Sequence, residues 1–76
     1  MIRAVTNEFT AIVEPAKEGG FWAYCPEVPG ANGQGETVEE TVENLAAAIE
    51  LILDVLRDEA LKNASREARR QTVRVG

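Results

Sequence analysis

The sequence predicts an α+β fold: a small antiparallel sheet with one long helix packed on it, in the order β-β-β-α-β. Three observations predict it. Residues 8–15 and 21–25 alternate side chains between two faces on either side of a glycine turn. A run beginning at Val38 carries apolar residues at helical spacing. The closing "TVRV", residues 72–75, alternates again. With 76 residues the chain is one domain, 1–76, with a core at 8–60 and a basic C-terminal segment at 61–76.

In "EFTAIVEP" (8–15), Phe9, Ala11 and Val13 point one way and Thr10, Ile12 and Glu14 the other, so the strand has one well-buried face. "MIRAV" is a possible backward extension of it. "AKEGG" (16–20) supplies a turn, because glycine reaches positive φ without steric cost. "FWAYC" (21–25) is the second strand, with Phe21, Ala23 and Cys25 on one face and Trp22 and Tyr24 on the other. Pro26 and Pro29 then force a corner, since proline has no N–H to give a ladder. "ANGQGE" is poor strand material, so any third strand is short and its glycines mark close backbone approach.

Thr37 starts the helix, with Glu40 three residues later as the second half of a capping box. Glu39, Glu40 and Glu43 lie where the helix dipole favours negative charge. The helix is expected to end between Asp58 and Lys62. Val38, Val42, Leu45, Ile49, Ile52 and Leu56 form the stripe expected to cover the sheet. A second set, Ala48, Leu51 and Val55, widens the apolar arc beyond what one small sheet covers. That set awaits another chain or the C-terminal segment folding back, and it defines the expected oligomer or partner interface. The polar side carries Glu43, Glu50 and Asp54, read either as a solvated face or as an acidic docking surface for a basic protein.

The net charge of −5 is unevenly spread. Residues 1–60 hold three basic groups against 12 acidic ones, whereas 61–76 hold five basic groups against Glu67 alone. The acidic body repels nucleic acid; Arg66, Arg69, Arg70 and Arg74 in the tail are its candidate nucleic-acid contacts or a solvated end.

The chemistry of catalysis is sparsely represented. The absence of histidine excludes triads, imidazole acid–base work and histidine metal ligation. Cys25 is the single cysteine, so it forms no internal disulfide, builds no zinc site and reads as a small buried hydrophobe. "GANGQG" lacks both the lysine of a phosphate loop and the spacing of a dinucleotide fingerprint. A carboxylate magnesium site of nuclease type needs Glu14, Glu27, Glu50 and Asp54 to converge, and the helical pair falls on the side away from the sheet. No enzyme activity, metal or cofactor is therefore expected. No apolar run approaches the ~18 residues of a membrane span, and the N-terminus lacks a signal-peptide core. The expectation is a soluble cytoplasmic protein without membrane contact.

Taken together, Gly19-Gly20, the aromatic strand Phe21 to Tyr24, the Pro26 to Gly30 corner, Gly35-Glu36-Thr37 and the acidic helix from Glu39 through Leu53 resemble the HicB family of antitoxins over roughly residues 8–56. The resemblance implies a truncated ribonuclease-H-like fold without a working active site. It implies a type II antitoxin that binds and neutralises a HicA-like toxin, a small basic ribonuclease, and that forms homo-oligomers, either dimer or tetramer. Thr41 stands where the family often has alanine, and Ala31 where cysteine is common. Only 16 residues follow Ala60, too few for the helix-turn-helix of longer members, so DNA binding is not expected. Two other readings stand beside this one: an orphan scaffold or regulatory oligomer of the same fold with no toxin, and a metal-dependent nuclease.

Overall fold

The two alternating stretches pair as a hairpin. In the computed structural model, which describes residues 8–74, β1 spans Ile12–Pro15 and β2 spans Phe21–Tyr24, antiparallel, with Val13 opposite Ala23 and Pro15 opposite Phe21. The turn between them is closed by the Ala16 N–H on the Gly20 carbonyl and the Gly19 N–H on the Ala16 carbonyl. Gly20 has φ +73, and a Cβ there would stand 2.6 Å from the Gly35 carbonyl oxygen, so the position excludes any side chain. A third strand does form. β3, Asn32–Gly35, pairs antiparallel with β2, giving one sheet of order β1-β2-β3.

Register sorts the side chains. Val13, Ala23 and Gly33 form one row on the inner face, and Ile12, Tyr24 and Asn32 form the neighbouring row on the outer face. The inner row shrinks from valine to glycine across the sheet. The helix α1, Val38–Asn63, settles at the small end, close against β3, and touches β1 least. A Cβ on Gly33 would come within 2.5 Å of the Leu45 amide nitrogen and 2.7 Å of the Thr41 carbonyl oxygen. Backbone therefore packs on backbone, which is why "NGQG", unfavourable as an isolated strand, is suited to this place.

Thr37 caps the helix as expected. Its hydroxyl accepts the Glu40 N–H at 3.1 Å, while the Glu40 carboxylate accepts the Glu36 N–H at 3.0 Å, one residue earlier than in the usual reciprocal box. The core is Ala23, Cys25, Val28, Ala31, Leu45 and Ile49, with Val13, Ala48, Ile52 and Leu53 packed around it. Thr41 is fully buried, and its hydroxyl is satisfied by donating 2.7 Å to the Thr37 carbonyl.

Several expectations need correction. Of the stripe expected to cover the sheet, Leu45, Ile49 and Ile52 do pack on the core, joined by Thr41 and Ala48, whereas Val38, Val42 and Leu56 are exposed. Close approach to Gly33 and Gly35 selects the small Thr41 for the contact and turns the two valines to the flanks. Residues 8–11 are not strand, because the Thr10 N–H bonds to the Glu27 carboxylate instead of to a ladder. Phe9, expected inside, is consequently exposed. Residues 72–74 carry no strand, and the described sheet has three strands; Val75 and the proposed N-terminal extension lie outside the described residues. Alternation in "TVRV" is no substitute for a partner, and after Asn63 the chain runs exposed to residue 74. The helix ends at Asn63, a residue past the expected limit.

Strands of four residues are about 13 Å long. A helix of 26 residues is about 39 Å long. The helix therefore outlasts the sheet, and beyond Leu53 every described residue is exposed.

Candidate functional site: an acid-rimmed groove

The offset of the helix toward β3 leaves the β1 side of the inner face uncovered. There the segment 9–11 and the helix enclose an open groove of about 680 Å³. Phe9, Val42, Leu45, Ala46, Ile49 and Leu53 make its apolar floor and walls. Glu43, Glu50 and Asp54 line it as well. The three acids expected to form a docking face thus meet in one place, since spacings of seven and four residues keep them on one side of a helix. Arg57 also lines the groove and donates to Asp54 at 3.2 Å. Both partners are exposed, so this pair adds little to stability.

The wall opposite the helix is held by Glu27. Its carboxylate accepts the Thr10 hydroxyl at 2.6 Å and the Thr10 N–H at 2.8 Å, and the Cys25 thiol donates to it at 3.2 Å. The Thr10 hydroxyl foremost, then the Thr10 amide and the Cys25 thiol, hold the Glu27 pKa down to about 2 from an ordinary 4.5. Each donor favours the ionised form, and together they tie residues 9–11 to the corner after β2. Phe9, Thr10, Ala46 and Leu53 were not assigned to this site from sequence. Only Phe9, an aromatic at a strand end, carried a local signal.

The other candidates fall elsewhere. Leu51 is 65% exposed and Val55 46% exposed. Ala48, expected with them, packs on the core instead. Arg66, Arg69, Arg70 and Arg74 are all exposed and are spread along the segment after the helix, where the Ala68 N–H closes a turn on the Ser65 carbonyl. Cys25 is buried. Among the described residues no three cysteine, aspartate or glutamate side chains are grouped to hold a metal ion. Among them, too, no helix is long and apolar enough to cross a membrane.

Comparison with known proteins decides the family. A UPF0150 protein of Synechocystis sp. is 46% identical over 66 residues, covering 87% of this chain and 92% of the relative. This chain belongs to the UPF0150 family. Two further UPF0150 proteins of the same organism are 40% identical over 48 residues, covering 63% of this chain and 61% of the relative, and 38% identical over 60 residues, covering 79% and 82%. No family model matches the UPF0150 chain, and no solved structure matches it significantly.

Proposed function

We propose that this UPF0150 protein is a non-catalytic antitoxin of the HicB type, which binds and neutralises a small basic ribonuclease of the HicA type. The observation that carries the reading is the convergence of Glu43, Glu50 and Asp54 on an apolar groove. A basic protein partner needs both parts. Apolar contact supplies affinity, and the carboxylates steer and orient a cationic surface. The motifs from Gly19 through Leu53 support the family part of the reading, and the β-β-β-α order of the structure matches the first four elements of the β-β-β-α-β unit which that resemblance implies.

The test is co-expression with the product of the neighbouring reading frame. A small basic protein that co-purifies with the wild-type chain, and whose binding drops at least tenfold in Glu50→Lys with Asp54→Lys, supports the proposal. The absence of a complex, or a complex indifferent to both substitutions, overturns it.

A second reading, a regulatory oligomer or scaffold with no toxin, draws support from the exposed Leu51 and Val55, which suit a contact between copies of the chain. It predicts self-association and no basic partner.

A further inference from the structure

The chain carries two opposite features that its own fold leaves apart. The groove is rimmed by three carboxylates against one guanidinium. The segment after the helix has Lys62, Arg66, Arg69, Arg70 and Arg74 against Glu67. None of residues 65–74 lines the groove of its own chain; all are exposed, and Val73 is 78% exposed.

We propose that the groove receives the basic C-terminal segment, residues 66–74, of a second copy of this chain, with Val73 on the apolar floor and the arginines against Glu43, Glu50 and Asp54. Charge complementarity selects the segment, because it is the one strongly cationic stretch of an otherwise acidic chain. Helix geometry selects the second copy. The exposed Leu51 and Val55 lie one turn apart, roughly 100° around the helix from the groove's acids and roughly 160° from its apolar floor. Two helices packed antiparallel about a two-fold axis, Leu51 of each against Val55 of the other, set Asn63 of one copy beside Glu43 of its partner. The tail therefore leaves its helix at the Glu43 end of the partner's groove, and a reversal of the chain in the residues after Asn63 turns it along the groove toward Asp54. Its nine residues extend about 30 Å, enough to run along the rim from Glu43 to Asp54.

The consequence is a self-masked site. A cationic partner has to displace an intermolecular tail before it reaches the acids, so occupancy responds to the concentration of the chain itself. The inference uses the same groove as the proposed function but requires no toxin, and its test is made on the isolated full-length chain.

Disulfide trapping between variants that each carry one introduced cysteine besides the buried Cys25 reads the contact directly. Ala46→Cys places a thiol in the groove and Val73→Cys places one on the tail; both positions are exposed, and Cys25 is buried. Mixed under mild oxidation, the two variants are expected to yield the 46–73 cross-linked heterodimer at least fivefold faster than Gln34→Cys, on the other face of the sheet, mixed with Val73→Cys. Roughly 0.5 M salt is expected to remove most of that preference, because it shortens the screening length to a few ångströms. A rate equal to the Gln34 control overturns the proposal. So does an intramolecular 46–73 cross-link in the doubly substituted chain at high dilution without mixed dimers, which assigns the groove to the chain's own tail. Loss of toxin binding in the experiment above, with trapping intact, removes the antitoxin reading and leaves this one standing.

Discussion

The Glu27 carboxylate holds Thr10 by two bonds at once, the hydroxyl at 2.6 Å and the amide at 2.8 Å. Seventeen positions separate the two residues. The bonds tie the approach to β1 to the corner after β2 and set where Phe9 stands over the helix.

Acid should loosen this connection. The folded-state pKa of Glu27 is depressed to about 2, below an ordinary 4.5. Its contribution is complete above the unfolded value and is lost as the pH falls from about 4.5 toward about 2, where the folded form also protonates. The difference in thermal midpoint between the wild type and Glu27→Gln is expected to be positive and level at neutral pH and to shrink across that window. A difference that stays level down to pH 2 removes the assignment.

Gly33→Ala should be strongly damaging for a change of one methyl group. The added carbon meets the Leu45 amide nitrogen and the Thr41 carbonyl oxygen, both helix backbone, and neither moves without shifting the helix. Overpacking of this kind costs about 3 kcal/mol. For a 76-residue domain that is a large part of the total. Urea unfolding followed by circular dichroism measures it. Gly19→Ala is the contrast: nothing lies within 4 Å, φ is +105, and the cost is the backbone strain alone, about 1 kcal/mol.

Thr37→Ala removes the acceptor for the Glu40 N–H. The expected loss is about 1 kcal/mol, read as a lower urea midpoint with an unchanged slope. Thr37→Ser keeps the oxygen and should recover most of the stability. A serine variant as weak as the alanine one would show that the methyl group, not the cap, matters.

Leu51→Asp tests self-association. Leu51 is exposed in the single chain, so the substitution should leave folding within about 0.5 kcal/mol of the wild type. Sedimentation is expected to show the variant as a monomer at concentrations where the wild type associates. A monomeric wild type would mean that the exposed strip serves something other than a second copy.

Local chemistry made much of this fold legible. Thr37 and Glu40 mark the helix start because a cap acts within three residues, and the faces of "FWAYC" follow from period two. The acidic cluster was legible for the same reason, since Glu43, Glu50 and Asp54 share a helix side whatever the helix packs on. What escaped was non-local. Which helix face meets the sheet depends on Gly33, a residue whose influence is the absence of a side chain, so Thr41 displaces Val38 and Val42 from the contact. In the sequence Glu27 figures only among the acids that a magnesium site would need, because no pattern announces Thr10 as its partner. The "TVRV" alternation was present, but a strand is defined by its neighbour, and residues 72–74 have none within the described sheet.

The sole tryptophan gives the molecule a built-in optical reporter with a useful blind spot. Trp22 is 40% exposed on the outer side of β2 and stacks on Tyr24, with ring centroids 5.6 Å apart. It does not line the acidic groove. Its emission follows unfolding and anything that settles on the outer sheet, through a change in hydration of the indole, while a ligand confined to the groove leaves the spectrum in place. One fluorescence titration therefore tells which side of the sheet a partner has chosen.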